Sequence, residues 1–516
     1  MYDKHWLDSS HGAAVRLSVQ HIVMGLALSA CGPTSPDDSG PPTGVGSPSG
    51  TTATGTGNPA TGTPTGSTQW KMDRWSGTIA LPDVGTALFL GVADGELAGD
   101  KVAFVPDHNG DGRAEVMIGA KKSARTDVNA GVVYVLQSPH KGTVGLDTAP
   151  TLLGAAYGDF LGGSLDSSED LTGDGTSDVL LGAKLHGDSG AVWVFSGPIV
   201  GNATMSDAHA KFIGGPEPDH LGGNVRAIGD FNGDGVPDVA MTAKRHDAPF
   251  SDAGVVYVQW GPIPQDQVDL SVSADLRIFG ENEFDFFGST LGSAGDVTGD
   301  GAPDLVVSSG ESDQGGDSAG RVYVWNTPPA DGSSASDAWC IIDGLPGQQL
   351  GYVNPVGDLN GDGLPDLGIS STQGGSFGGG IVYWVTPIEG QHTVDALAWG
   401  SVEGETAGSG FGSSFIKAGD LDGDGFDDIA ISAPFANGFG GSVKLFYGPL
   451  TGAMTDASAQ ATLLGSGAAE ALGHELDAGL DATGDGVPDL LIGADGGNGL
   501  ETGAGRVYLL SGMPPS

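Results

Sequence analysis

Short apolar runs recur along this chain of 516 residues, separated by acidic and glycine-rich segments. Directly after an acidic segment, two large apolar residues stand two positions apart, as at Val116 and Ile118. A glycine-led run such as GVVYVLQSP from Gly131 follows, and then a third run such as TLLGAA from Thr151. A fourth short segment leads into the next acidic stretch. Short apolar runs bounded by Gly and Pro, without helical period, are typical of β-strands, so each unit predicts four strands.

The acidic segment is a nonapeptide with the pattern D-x-[N/D/T]-x-D-G-x-x-[D/E], and it occurs seven times at intervals of 60 to 66 residues. The copies begin at Asp107, Asp170, Asp230, Asp296, Asp358, Asp420 and Asp481. Four-stranded units repeated in this way are typical of β-propeller blades, which close into a ring. The predicted fold is therefore all-β, a seven-bladed propeller over residues 71–516.

The nonapeptide also has the chemistry of a calcium loop. Calcium takes six to eight oxygen ligands from a tightly turned loop, and glycine at position six permits the turn. Side chains at positions one, three, five and nine supply these oxygens, which predicts up to seven bound Ca²⁺. The predicted ligands are Asp107, Asn109, Asp111, Glu115, Asp170, Thr172, Asp174, Asp178, Asp230, Asn232, Asp234, Asp238, Asp296, Thr298, Asp300, Asp304, Asp358, Asn360, Asp362, Asp366, Asp420, Asp422, Asp424, Asp428, Asp481, Thr483, Asp485 and Asp489.

Position three divides the loops into two groups. A threonine hydroxyl is a weaker ligand than an amide oxygen or a carboxylate, so weaker binding is expected in the loops with Thr172, Thr298 and Thr483. The sixth loop has an aspartate, Asp422, at position three and is expected to bind most tightly. An EF-hand is excluded because it needs a glutamate at position 12, where this chain has only aliphatic residues or methionine.

Two short motifs, a dipeptide and a tripeptide, give the repeats a family resemblance. Phe-Gly stands at Phe287-Gly288 and Phe411-Gly412, and Ser432-Ala433-Pro434 is a variant of Gly-Ala-Pro. With these motifs and the calcium loops in register, the chain resembles the FG-GAP repeats in the seven-bladed propeller of integrin α-subunits. The resemblance implies calcium binding on one face and partner docking on the other. The first unit departs most, with Leu97-Ala98-Gly99 in place of Phe-Gly.

The last unit ends after its third strand, GRVYLLSG, and the segment Thr86 to Val92 has no unit before it. An open array would leave exposed sheet edges that promote aggregation. We therefore predict that this N-terminal strand completes the seventh blade and closes the ring.

Residues 1–70 are predicted to serve export rather than the fold. Ile22 to Ala30 is a nine-residue apolar run, too short to span a bilayer and typical of a signal peptide. Leu28 to Cys31 is similar to a bacterial lipobox, so residues 1–31 are predicted to be a signal peptide with Cys31 lipidated; ordinary secretion is the alternative. Residues 32–70, rich in Gly, Pro, Ser and Thr, are predicted to be a flexible tether. The membrane is then reached only through the lipid anchor, at the bacterial cell envelope or surface.

The formal net charge of −45 argues against a nucleic-acid partner, whose phosphates would be repelled. Basic residues nevertheless concentrate after the second strand of units one to three. A ligand patch for an anionic polysaccharide or an acidic protein segment is predicted there, with scattered solvated side chains as the alternative. It comprises Lys122, Arg125, Lys184, His186, Lys244, Arg245 and His246.

No histidine spacing, nucleophile elbow or paired Cys/His motif indicates catalysis, and Cys340 lies in an apolar run typical of a buried, inert thiol. The sequence therefore predicts a calcium-binding, surface-displayed propeller that binds a macromolecule without catalysis. A calcium-containing propeller lyase or hydrolase of polysaccharides is the alternative, on analogy of fold.

Overall fold

A computed structural model describes residues 75–81, 85–168, 170–215, 217–293, 295–467 and 469–512. The predicted signal peptide, Cys31 and the tether lie outside the described residues, and their boundaries remain predictions. Within those ranges, no helix is both long and apolar enough to cross a membrane.

The described residues form 35 strands, here numbered in chain order. The first fifteen are β1 (Gly77–Ala80), β2 (Ala87–Leu90), β3 (Lys101–Val105), β4 (Glu115–Ala120), β5 (Val132–Leu136), β6 (Gly142–Gly145), β7 (Thr151–Leu153), β8 (Ser164–Ser168), β9 (Asp178–Ala183), β10 (Ala191–Phe195), β11 (Ala203–Thr204), β12 (Ala210–Ile213), β13 (Val225–Gly229), β14 (Asp238–Ala243) and β15 (Val255–Gln259). The next ten are β16 (Gln267–Asp269), β17 (Leu276–Phe279), β18 (Leu291–Ser293), β19 (Leu305–Ser309), β20 (Arg321–Trp325), β21 (Ser333–Ser334), β22 (Cys340–Asp343), β23 (Tyr352–Pro355), β24 (Leu367–Ser371) and β25 (Ile381–Val385). The last ten are β26 (Gly390–Thr393), β27 (Ala398–Glu403), β28 (Phe415–Gly419), β29 (Asp428–Ala433), β30 (Ser442–Phe446), β31 (Gly452–Thr455), β32 (Ala461–Leu464), β33 (Leu476–Ala478), β34 (Leu490–Ala494) and β35 (Arg506–Leu510).

Helical structure in the described residues is limited to single turns. They are Leu146–Thr148, Met205–Asp207, Leu270–Ser273, Ala335–Asp337, Val394–Leu397, Ala436–Phe439 and Asp456–Ser458.

The strands build seven sheets, and these are the blades of a seven-bladed β-propeller, as predicted. Blades one to five have the strand orders β3-β4-β5-β7-β11, β8-β9-β10-β12-β16, β13-β14-β15-β17-β21, β18-β19-β20-β22-β26 and β23-β24-β25-β27-β31. Blade six is β28-β29-β30-β32-β1, and blade seven is β33-β34-β35-β2-β6. The first strands of neighbouring blades contact one another around the ring, from β3 through to β33 and back to β3.

Each blade has five strands rather than the four predicted. After its third strand the chain first pairs with the outer edge of the preceding blade, and then returns as the fourth strand of its own blade. Thus β6 lies parallel to β2 of blade seven before β7 joins blade one. These fifth strands hold only two to four residues and are largely exposed, so they carry no apolar period that a sequence could reveal.

The prediction of ring closure is confirmed. Strand β2 pairs antiparallel with β35, with Ala87 opposite Leu509, and so fills the fourth position of blade seven. The preceding strand β1 pairs parallel with β32 of blade six, which the sequence did not predict.

The core lies between the blades. Seven apolar clusters each join two neighbouring sheets, as where Phe89, Val116 and Leu509 join blades seven and one. Because both faces of each sheet are covered, the second and third strands are buried at almost every position, for example throughout β9 and β10. This explains the continuous apolar runs, since a strand with one solvated face would alternate. Cys340 of β22 is buried in one such cluster, and burial raises the pKa of its thiol to about 11.

Candidate metal centres

Each acidic nonapeptide forms the turn between the first and second strands of its blade. The second strand starts at or directly after position nine, as β4 does at Glu115 and β34 after Asp489. The blades repeat around a ring, so all seven turns lie on one face of the propeller. The basic segments follow the second strands and therefore lie on the opposite face.

The first aspartate organises the backbone of each turn. The carboxylate of Asp107 accepts hydrogen bonds from the amides of Gly110 at 2.7 Å, Asp111 at 3.0 Å and Gly112 at 2.7 Å. Burial alone would raise the pKa of Asp107, but these hydrogen bonds outweigh it and lower the pKa. Asp481 is held in the same way by the amides four and five residues on.

Glycine is required twice in each turn. Positions four and six have φ between 74° and 94° in all seven loops, a conformation that glycine adopts without strain. Position four is a glycine in every copy, a regularity that the calcium pattern alone left unexplained.

The ninth residue places a carboxylate in the protein interior. Asp178 accepts hydrogen bonds from the amides of Leu171 and Thr172, both at 2.8 Å. The seven position-nine carboxylates are all buried, at most 2% exposed: Glu115, Asp178, Asp238, Asp304, Asp366, Asp428 and Asp489. Within the described ranges, no lysine or arginine nitrogen lies within 4.0 Å of any of them.

Burial makes these carboxylates hard to ionise without a cation. It raises the pKa of Asp178, Asp238 and Asp304 to about 6. The pKa rises to about 7 in the other four loops, where two neighbouring carboxylates, rather than one, add repulsion to the effect of burial: Glu115, Asp366, Asp428 and Asp489.

Three loops bring three carboxylates together, with one oxygen of each within 4.8 Å of the others. The groups are Asp107, Asp111 and Glu115; Asp420, Asp422 and Asp428; and Asp481, Asp485 and Asp489. In the second loop, Asp174 instead accepts hydrogen bonds from the hydroxyls of Ser196 and Thr176. A set of carboxylate oxygens around a buried, unneutralised carboxylate fits a hard cation such as Ca²⁺.

Position three lies across the loop from position nine. The amide nitrogen of Asn360 donates to Asp366 at 2.9 Å, and the hydroxyl of Thr298 donates to Asp304 at 3.1 Å. Either side chain can turn an oxygen towards the loop centre once the ninth carboxylate has a cation.

On the opposite face, the predicted basic patch is divided. His186 pairs with Asp159 at 3.1 Å and His246 with Asp219 at 2.8 Å, so both histidines are anchored to buried carboxylates. In blade one, Lys122 lies in the turn after β4, and the guanidinium of Arg125 lies 5.0 Å from the ring centre of Tyr134.

Lys184, Lys244 and Arg245 remain close to one another. Their mutual repulsion contributes, after burial, to a lowered pKa for Lys184.

One cluster on this face was not predicted. His474 Nε2 lies 3.7 Å from Asp100 and 3.4 Å from Asp495, and Lys121 forms an ion pair with Asp100. The sequence signal was present, because Asp495 is the only acidic residue at this position of the seven units. The cluster joins blades seven and one by charge.

A second charged group fills the axial channel, a cavity of about 250 Å³. Arg226 pairs with Asp166 at 3.4 Å, while Asp477 accepts the amide of Phe104 at 2.6 Å. Burial raises the pKa of Asp477 to about 7. These side chains bind the free backbone edges of adjacent first strands.

Comparison with known proteins agrees with this architecture. The FG-GAP repeat matches residues 161–195, 225–258, 287–325, 411–446 and 472–510, which lie in blades two, three, four, six and seven. The chain thus contains five FG-GAP repeats within a seven-bladed propeller, and it is similar in sequence to integrin α-subunits.

The relatives are similar over only part of their length. Integrin alpha-PS5 of Drosophila melanogaster is 34% identical over 178 residues, 33% of this chain and 16% of that protein. Integrin alpha-PS2 of the same species is 27% identical over 263 residues, 48% of this chain and 18% of the relative. Phosphatidylinositol-glycan-specific phospholipase D of Rattus norvegicus is 32% identical over 169 residues, 30% of this chain and 20% of the relative. The chain therefore spans about a fifth or less of each relative.

Proposed function

We propose that the protein is a calcium-stabilised recognition propeller that binds a macromolecular ligand and carries out no catalysis. The observation that supports calcium best is the buried carboxylate at position nine of every loop, which no lysine or arginine among the described residues neutralises. A divalent cation in the turn would compensate that charge and those of positions one and five.

Calcium is expected to hold the fold together. Each close pair of carboxylates in an empty loop costs roughly 1–4 kcal/mol of repulsion at the effective dielectric of a protein surface. An ion that binds only the folded state stabilises it by mass action. Excess chelator should therefore lower the melting temperature by many degrees, and Ca²⁺ should restore it better than Mg²⁺, whose strict octahedral geometry fits a flexible loop poorly. An unchanged melting curve in chelator would refute the proposal.

Ligand binding is proposed for the face opposite the calcium loops, by the resemblance to the integrin head. A relative that is a phospholipase keeps an enzymatic reading open. One assay distinguishes the two functions, in which the protein is incubated with the polymer and the products are analysed. A recognition protein leaves the polymer intact, whereas an enzyme releases new chain ends or products. Attachment to the bacterial cell envelope through a lipid on Cys31 belongs to the same proposal and would appear in the mass of the mature N-terminal peptide.

A further inference from the structure

The face opposite the calcium loops carries two series of side chains that repeat once per blade. One series directly follows the second strand and reads Lys121, Lys184, Lys244, Gly310, Thr372, Pro434 and Asp495 around the ring. The other precedes the Phe-Gly position and has positive φ in every blade: Leu97, Phe160, His220, Phe286, Gln349, Gly410 and Ala471. Lysines occupy the first series in blades one to three, and aromatic rings occupy the second series in blades two to four.

These side chains interleave into one surface. A cavity of about 210 Å³ opens there, lined by Phe160 and Lys184 together with Lys121 and Leu185. Further along, the guanidinium of Arg245 lies 5.8 Å from the ring centre of Phe286. We call the surface the basic–aromatic arc, formed by Phe160, Lys184, His220, Lys244, Arg245 and Phe286.

The positive charge of the arc is poorly compensated. Across the described ranges, Lys184 and Lys244 have no carboxylate oxygen within 4.0 Å, although the chain has 65 acidic residues and only 20 lysines and arginines. Arg245 reaches Asp252 only at 4.0 Å. Burial and the charges of Arg245, Lys184 and Lys244 lower the pKa of His220 to about 4, so the imidazole stays neutral at physiological pH. Carboxylates bound the arc at its two ends, where Asp100 pairs with Lys121 and Glu311 acts on Lys244.

The two phenylalanines of the arc have a strained backbone conformation. Phe160 has φ of 55° and Phe286 has φ of 50°, values that are unusual for bulky residues. Both rings are half-buried rather than packed into the core, so tertiary packing does not account for the aromatic choice. The same positive φ occurs in every blade, including those with Leu97, Gln349 and Ala471, so the turn itself does not require an aromatic side chain.

We propose that the basic–aromatic arc binds an anionic polysaccharide, with sugar rings against Phe160 and Phe286 and acidic groups against Lys184 and Lys244. The lysines occupy equivalent positions in successive blades, so they recur at a regular interval, as do the carboxylate or sulfate groups of such a polymer. Flat aromatic rings between the cations suit the apolar faces of sugars. This inference rests on the proposed ligand-binding function and names the class of ligand.

The test measures binding of defined oligomers to the full-length, calcium-loaded protein. Two probes carry the proposed chemistry, a galacturonate oligomer for carboxylate and a chondroitin sulfate oligomer for sulfate. The methyl ester of the galacturonate oligomer is the uncharged match, and poly-glutamate and single-stranded DNA are the other polyanions. Binding of at least one acidic sugar oligomer is expected, weakening as salt rises, with little binding of the ester.

The variants locate the site. Lys184→Gln and Lys244→Gln should each weaken binding roughly tenfold, the loss of one charge-assisted contact. Lys141→Gln, which removes an exposed lysine on the calcium face, should have no effect. Phe160→Gly should weaken binding roughly fivefold without lowering the melting temperature, because glycine accepts the positive φ. The matched control is Phe377→Ala, which removes an exposed aromatic ring in blade five on the same face as the arc.

Three results would overturn the proposal. They are full binding by the Lys184→Gln/Lys244→Gln double variant, equal or tighter binding of poly-glutamate or single-stranded DNA, and no binding of either acidic sugar oligomer. None of these results bears on calcium, since the chelator experiment tests that role separately.

Discussion

Asp428 and its six counterparts lie where a carboxylate is hardest to keep charged, at the buried start of a second strand. The residue pattern predicted acidic side chains at this point of each unit, and the strand that follows was visible in the apolar pair after it. What the pattern could not give is the depth of burial, because that depends on the neighbouring blade covering the sheet.

The loops are expected to differ in affinity for calcium. Asp424→Ala should remove a strong site, because loop six has carboxylates at positions one, three, five and nine. Asp174→Ala should remove less, because Thr172 is the weaker ligand in that loop and Asp174 is engaged by Ser196 and Thr176. Calorimetric titration of the wild-type protein should resolve at least two classes of site, and seven equivalent sites would contradict this expectation.

The basic side chains show which features could not be predicted from the sequence. His186 and His246 read as part of a patch because they follow Lys184 and Lys244 closely in sequence. In the structure their rings turn to Asp159 and Asp219, which come from the connection between blades. Such long-range partners cannot be predicted from the sequence, whereas the lysines at equivalent positions in units one to three could.

At the scale of the element, a strand can be predicted where it has an apolar period and not where it only supplies backbone hydrogen bonds. The buried second and third strands, such as β9 and β10, were evident from continuous apolar runs. The fifth strands, such as β26 with its sequence GQHT, contribute edge pairing and little burial. The same distinction explains why β2 was found and β1 was missed.

Ring closure gives a prediction about these N-terminal strands. Deleting residues 71–92 removes β1 and β2, exposes an edge of β35 and leaves β6 without its partner. It also removes Phe89, whose buried ring packs between blades seven and one. The truncated protein should aggregate or melt well below wild type in a thermal scan.

Deleting residues 32–70 is the control for this truncation. That segment is predicted to be a tether, so its loss should leave the melting temperature unchanged. A 71–92 deletion that melts like wild type would mean that closure of the ring contributes little to stability.

For the whole molecule, the seven loops predict that stability depends on pH differently with and without calcium. In the stripped protein the position-nine carboxylates have a pKa of about 6 to about 7, against an ordinary value of 3.8 for aspartate. The folded state then holds protons more tightly than the unfolded chain. The extra stability is fully present below the unfolded pKa and is lost as pH rises through the folded pKa.

The calcium-free protein should therefore melt at progressively lower temperature from about pH 4 to about pH 7. Calcium-saturated protein should lack this decline, because the cation favours the charged carboxylates, and its affinity increases as they lose their protons. Melting temperatures measured across this range, with calcium and after its removal, provide the check. Parallel profiles would show that the buried carboxylates do not face the ion.

The pairing of each fifth strand with the preceding blade also affects the order in which the protein can fold during synthesis. A linear repeat array can fold outward from any unit and fray from its ends. Here β1 and β2 leave the ribosome first, yet their partners β32 and β35 are made last. Strand β1, and the edge of β2 that pairs with β35, must therefore stay unpaired until the last two blades have been synthesised, and exposed strand edges are prone to misassembly in that period. Closure of the ring is thus a late event, because blade seven cannot be completed before β35 has been synthesised.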